Sequence, residues 1–226
     1  MVFNKDDRNI PKIKNSIGYS LKQIESKKIK KILKIPGQHN VSNALAALAV
    51  ARILKIPNAV SFKALSDYKG SWRRFEIFSK RLKAKRYTLI SDYGHHPNEI
   101  LATLKAAREK YPKKKIWLIY QPHQYQRTYY LFNDFVKVFR QAPIDNIIIT
   151  DIYDVAGREE KKISSNVSSR NLVKKINSST TLKGGKKNVS YMKLDDAESY
   201  VKKNIKNGEA LIIMGAGDVY KLVDRF

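Results

Sequence analysis

At 226 residues, 42% apolar and 10% aromatic, the chain has the material for one large domain, or one domain and part of another, and is too rich in core-forming residues to be disordered. It has no cysteine, which excludes a disulfide framework, a thiolate metal site and a cysteine nucleophile. Forty-five Lys and Arg against 20 Asp and Glu give +25, a field that attracts polyanions. The lysines are dispersed, however, in short runs such as Lys27-Lys28 and Lys113–Lys115, with no basic helix interleaved with aromatics, so a nucleic-acid footprint is not expected. No apolar run approaches the roughly 20 residues of a membrane span. Met1–Asp6 lacks the basic-then-apolar pattern of a signal peptide, so a soluble, cytoplasmic protein is expected.

Residues 1–35 are polar and Lys-rich, with weak alternation that places Ile10, Ile13, Ile17, Tyr19, Leu21 and Ile24 in short strands; they hold too few apolar residues to fold alone. Pro36-Gly37 then make a turn before an Ala/Leu-rich helix over 44–54. His39, Asn40 and Asn43 cluster at its start, where Asn40 or Ser42 suits capping and the free N–H groups equally suit an anion or polar ligand. A second amphipathic helix covers 59–68, and the change of composition at Lys69-Gly70-Ser71 places a domain boundary near residue 70.

Beyond it, Trp72-Arg73-Arg74-Phe75-Glu76 opens the second unit; two adjacent arginines there suit either phosphate binding or a solvated pair. Phe75, Ile77 and Phe78 lead a strand expected to pair with 86–91. Apolar runs at 87–90, 115–120, 145–150, 189–192 and 210–214 alternate with helical patterns at 99–110, around 130–139, at 168–176, at 195–204 and after Asp218. A flexible tip is expected at Lys183–Lys187. The pattern predicts an α/β fold with a doubly wound, mostly parallel sheet, whose strand-to-helix turns share one ligand-binding edge.

The chemistry concentrates in those turns. All four histidines (His39, His95, His96, His123) follow apolar or strand-like runs. Asp92 ends a strand, where acidic residues accept from sugar hydroxyls. Arg73, Arg74, Arg127 and the N–H groups of Gly215-Ala216-Gly217 add anion-binding capacity. Together these predict a site for a phosphorylated ligand with a ribose. No G-x-x-x-x-G-K-[ST] is present, Gly215-Ala216-Gly217 lacks the third glycine of a dinucleotide fingerprint, and there is no Ser-His-Asp set or metal-ligand cluster.

Five segments taken in order resemble the Mur ligase family: Gly37-Gln38-His39-Asn40-x-x-Asn43-Ala44, Trp72-Arg73-Arg74-Phe75-Glu76, Asp92-Tyr93-Gly94-His95-His96-Pro97-x-Glu99, Gln121-Pro122-His123-x-Tyr125-x-Arg127-Thr128, and Met214-Gly215-Ala216-Gly217-Asp218. The pattern is most similar to the branch that joins L-alanine to UDP-N-acetylmuramate in peptidoglycan precursor synthesis, a pathway of cell wall biogenesis, cell shape and division. The resemblance implies that residues 1–70 are the remnant of a central ATP-binding domain and that 71–226 form a C-terminal Rossmann-like domain. It implies an ATP-dependent, amide-forming ligase working through an acyl phosphate, with ATP and Mg²⁺ as cofactors and the metal ligands outside this chain.

On that resemblance His39, Asn40 and Asn43 line the adenine pocket, one of Arg73 and Arg74 reaches the phosphates, and Asp92 holds the ribose. Tyr93 and His96 stand beside His95, which faces the phosphate and acyl-phosphate region; His123 and Arg127 orient the amino acid and the transferring phosphoryl group. The family's P-loop and UDP-binding domain have no counterpart among the 226 residues. The chain is therefore expected to be inactive without them, and a separate chain carrying them is an expected partner. The alternatives are a non-catalytic nucleotide-binding or Mur-subunit-binding module and, ranked below it, a basic nucleic-acid-binding protein suggested by the +25 charge. Gln124 stands where the family's pattern has Arg, which removes a charge-assisted hydrogen bond worth about 1.5–3 kcal/mol where buried.

Overall fold

The computed structural model describes residues 1–11, 14–155, 163, 165–178 and 188–226. They form two compact units, Met1–Gly70 and Ser71–Phe226. The expected tip at 183–187, like Ile13, lies outside the described residues.

In the first unit β1 (Val2–Asn4) and β2 (Ile17–Tyr19) pair in parallel. Asp6 closes the end of this ribbon by accepting from Ser20 Oγ and Leu21 N–H, both at 2.7 Å. Three helices follow: α1 (Ile24–Ile32), α2 (Gln38–Ile53) and α3 (Asn58–Asp67). Ile24, expected in a strand, instead opens α1 and is 86% exposed. Glu25 in the first turn and Lys30 and Lys31 in the last complement the helix dipole, and Ile29 supplies the buried contact. Ile29, Val41, Ala44, Leu45 and Leu48 make this unit's core.

Helix α2 begins six residues earlier than the Ala/Leu pattern suggests. Gly37 is its cap at φ 102°, a conformation glycine tolerates, and no side chain caps the helix. The Asn40 and Val41 N–H groups donate to Gly37 O, so Asn40 and Ser42 lie within the helix and do not cap it.

The second unit is built on a six-stranded sheet of order β3-β4-β8-β5-β6-β7, with strands Glu76–Leu82, Lys85–Asp92, Ala210–Met214, Ile116–Tyr120, Asn146–Ile149 and Asn188–Tyr191 respectively. Only the edge strand β3 is antiparallel to its neighbour; Glu76 faces Ser91. The sheet is mostly parallel, as the alternating pattern implies. The strand last in sequence, β8, lies between β4 and β5, so Gly215 emerges between the turns that follow those two strands.

Helices α4 (Pro97–Lys110), α6 (Phe132–Gln141) and α7 (Ser169–Asn177) cover one face, where Ile90, Leu104, Leu118, Phe139 and Ile212 pack. Helices α8 (Leu194–Asn204) and α9 (Leu222–Arg225) cover the other, where Leu89, Trp117, Ile119, Leu211 and Val201 pack. Burial on both faces explains why β5 and β8 read as unbroken apolar runs. The single helix expected around 130–139 is two: α5 (Tyr125–Tyr130) ends at Leu131, which leaves helical geometry at φ −101°, ψ 18° before α6.

Asp92, Met214, Tyr120, Ile149 and Tyr191 stand in one row across the carboxyl edge. Gly215 leaves this row at φ 145°, and a Cβ there would sit 2.6 Å from Gln121 O. Gly215→Ala is therefore expected to lose on the order of 2–3 kcal/mol in urea unfolding. An unchanged midpoint would mean that the turn adapts without cost.

Candidate active site at the carboxyl edge of the sheet

The loop after β4 is fixed from within. Asp92 is 5% exposed. Its Oδ2 accepts from Phe75 N–H at 2.9 Å, and its Oδ1 accepts from Gly94 N–H at 2.8 Å and Thr103 Oγ at 3.3 Å. Burial pushes its carboxyl above the ordinary range, against those hydrogen bonds and the charge of Arg74. The ribose contact expected of Asp92 is not what this geometry provides: its oxygens point inward and hold three segments together.

The two arginines separate. Arg73 is 4% exposed, with φ 53°. Its guanidinium donates to Gly215 O and lies 4.8–5.3 Å from the rings of Tyr220, Tyr93 and Trp72. Burial pulls it below its ordinary value, and the Tyr93, Tyr220 and Asp92 neighbours offset part of that. Arg74 is exposed and stacks on Tyr93 at 5.4 Å, so of the pair it is the one placed to meet an anion.

His96 caps α4. Its Nδ1 accepts from Asn98 N–H, while Glu99 accepts from the N–H groups of His95 and His96 at 3.1 and 3.2 Å. Burial raises the Glu99 carboxyl, but those two donors, His95 and Arg74 outweigh it and hold Glu99 below the usual range. Glu99 is thus part of the site's frame, a role not visible beyond its capping-box spacing.

The other two histidines of this edge, His95 and His123, lie 6.1 Å apart, and their neighbours assign them opposite tautomers. His95 Nδ1 stands 3.3 Å from Tyr93 O and 3.5 Å from Glu99 Oε2, both acceptors, so it carries the proton and leaves Nε2 as a lone pair. His123 Nδ1 stands 3.2 Å from Arg127 Nη1, which only donates, so here Nε2 carries the proton. Burial pushes both imidazoles below 6.5; Arg127 adds to this at both, His95 adds to it at His123, and Glu99 opposes it at His95. A neutral pair that offers one acceptor and one donor next to a guanidinium can bind a zwitterion: an ammonium at His95 and an anionic oxygen at His123 and Arg127.

Tyr153, which nothing in its sequence context marks, stacks on His123 at 5.4 Å and 11°. The Gly-Ala-Gly turn offers an anion one N–H fewer than its sequence suggests. Gly215 N–H donates to Asp92 O, and Gly217 lacks a Cβ because the Tyr153 ring and Gln121 Oε1 occupy that space. Gln124, at φ 72°, precedes α5.

In the first unit, half-buried His39 and Asn40 and exposed Asn43 sit in the first turns of α2. Asn40 Nδ2 donates to Pro36 O at 2.7 Å. Asn40 and Asn43 line a cavity of about 530 Å³ whose other walls are mostly apolar, among them Leu33, Ala47, Val60 and Leu65, with Ser61 and Tyr68 also lining it; His39 does not. Among the described residues no three His, Cys, Asp or Glu side chains group as a metal site, and no helix is long and apolar enough to cross a membrane.

Residues 73–217 match the family described as Mur ligase, glutamate ligase domain. A UDP-N-acetylmuramate–L-alanine ligase of Clostridium acetobutylicum is 42% identical over 194 residues, 86% of this chain and 39% of that protein. The enzyme of that name from Caldanaerobacter subterraneus is 43% identical over 195 residues. The crystal structure of UDP-N-acetylmuramate-alanine ligase MurC from Thermotoga maritima superposes with a TM-score of 0.63 at 29% identity, over 86% of this chain and 38% of that one. The chain thus spans about two fifths of the length of these relatives.

Asp92→Ala leaves buried N–H groups at Phe75 and Gly94 without acceptors, so a loss on the order of 2–3 kcal/mol in chemical denaturation is expected, whereas Arg74→Ala should stay within about 0.5 kcal/mol of the parent. A neutral Asp92→Ala would show the carboxylate is not the anchor. Because His95 and His123 titrate below 6.5 in the folded state, the unfolded chain binds their protons first. Stability they contribute is present above pH 6.5 and is lost as pH falls through their folded values. The melting temperature should therefore drop from pH 7 to 5, less steeply in His95→Gln and His123→Gln; identical slopes in parent and variants would contradict this.

Proposed function

The chain belongs to the Mur ligase family, and we propose that it supplies the amino-acid-accepting end of an ATP-dependent ligase joining L-alanine to UDP-N-acetylmuramate. The observation that carries the reading is the meeting of His95, His123 and Arg127 at one sheet edge, with Arg74 and Tyr93 beside them. Relatives at 42–43% identity bear the name of that enzyme.

L-Alanine arrives as a zwitterion and must reach the activated carboxylate as a free amine. His95 Nε2, neutral and unprotonated, takes one proton from the ammonium and so frees the nitrogen lone pair; the amine then attacks the acyl carbon, the carbon–oxygen bond to phosphate breaks, and the second nitrogen proton leaves with the phosphate. Arg127 and the His123 Nε2–H hold the amino acid's carboxylate, and Arg74 neutralises charge at the phosphoryl end. With these donors and acceptors held before substrate arrives, the chain works mainly by orientation and charge stabilisation. Gln124 offers an amide where the family's pattern has a guanidinium, which leaves Arg127 the one cation from this turn.

ATP, when bound, supplies the phosphoryl group that activates the muramate carboxylate. The mostly apolar slot rimmed by Asn40 and Asn43 has the volume and character to take a planar base. Among the described residues no three His, Cys, Asp or Glu side chains group as a metal site; on this reading the Mg²⁺ ligands, the P-loop and the UDP-sugar site belong to the complementary portion of the enzyme.

The test is phosphate release that depends on ATP, L-alanine and UDP-N-acetylmuramate, with and without the complementary portion of a relative supplied in trans. Release is expected only in the complemented mixture, and Arg127→Ala should lower kcat/KM for alanine about 10- to 100-fold. Release by the chain alone would overturn the requirement for a second portion. ATP binding without any turnover in the complemented mixture would mark a nucleotide-binding module.

A further inference from the structure

We propose that Tyr153 is a positioning residue: its ring, seated in the space left by Gly217, holds His123 so that Nε2–H points outward as a fixed donor. The inference rests on the ligase reading only for what that donor meets.

Three observations converge on this one side chain. The Tyr153 ring lies nearly parallel to the imidazole, 11° between planes and 5.4 Å between centroids. The two residues also form a parallel bridge: Tyr153 N–H donates to Pro122 O at 2.8 Å, and Gln124 N–H donates to Tyr153 O at 3.0 Å, so backbone bonds flank His123 on both sides. The ring also meets Gly217, where an added Cβ would collide with Tyr153 Cγ. The glycine is there to admit the ring.

The groups that face His123 are Tyr153 after β6, Arg127 from α5 and His95 from the turn after β4. Arg127 selects the tautomer but acts at one edge of the imidazole, through one bond at 3.2 Å. A ring held at one edge still swings about that bond. The Tyr153 face removes this freedom, and a donor held in one direction binds without losing rotamer entropy. Three strand ends thereby meet in one small stack: β5 carries His123, β6 leads to Tyr153 and β8 leads to Gly217.

The test uses the ligand-free chain, so its outcome is independent of whether the ligase reading holds. Histidine side-chain NMR reads the tautomer and titration of His123 in the parent, Tyr153→Phe, Tyr153→Leu and Gly217→Ala, with His96 as internal reference. Parent and Tyr153→Phe are expected to show a single Nε2–H tautomer with the same titration midpoint. Tyr153→Leu keeps bulk but not the flat face, and Gly217→Ala displaces the ring without altering any side chain on His123. Each is expected to mix tautomers and move the midpoint by roughly half a unit toward the ordinary imidazole value, with His96 unmoved. If one variant fails to fold, the other decides. An unchanged His123 in a folded Tyr153→Leu or Gly217→Ala would overturn the proposal, as would a Tyr153→Phe that behaves like Tyr153→Leu.

Discussion

A buried carboxylate organises the carboxyl edge of the second unit's sheet. Asp92 stands in the row where the parallel strands end, and its two oxygens accept from the segment before β3, the loop after β4 and the face of α4. An ionised carboxylate is costly to bury and is tolerated where hydrogen bonds satisfy it. Here those bonds set the start of the loop that carries Tyr93, His95 and His96. Arg73 performs the complementary task one layer out, with its guanidinium on Gly215 O and its backbone oxygen accepting from Tyr93 N–H.

The charged residues of this edge therefore fall into two groups with different work. Asp92, Arg73 and Glu99 fix loops through hydrogen bonds to backbone groups; on the proposed reading Arg74, His95, His123 and Arg127 are the groups offered to a ligand. The facing histidines differ in the proton each carries, because one Nδ1 sees only acceptors and the other sees a guanidinium. That difference comes entirely from neighbours, since the two side chains are chemically identical. It gives the site an acceptor and a donor without requiring a charge on either ring.

Much of this was legible in the residues and some was not. The strands over 116–120 and 210–214 are readable because a strand buried on both faces is apolar throughout; that β3 pairs with β4 is expected from the sequence, and its antiparallel sense comes from the structure. The start of α2 was not, because Gln38, His39 and Asn40 have cap-like chemistry and only Gly37's backbone shows where the helix begins. Ile24 was misread because weak alternation in a Lys-rich stretch does not separate a strand from the exposed start of a helix. The roles of Asp92 and of the Gly-Ala-Gly turn needed three dimensions. Whether a strand-end carboxylate faces a ligand or the chain depends on the Phe75 N–H and Thr103 hydroxyl that the segment before β3 and α4 bring to it, and no local pattern announces that. Tyr153 was invisible for the same reason: its partners, His123 and Gly217, are brought to it by other strands.

The measurement that most directly tests this division of the edge is an NMR titration of L-alanine, in the presence of a non-hydrolysable ATP analogue, into the chain complemented with the missing portion of a relative. His95 and His123 ring signals should shift together and saturably, while the His96 signals, tied up in the α4 cap, stay in place. Saturable alanine binding that moves His96 and leaves His95 and His123 untouched would contradict the assignment of the outward-facing set.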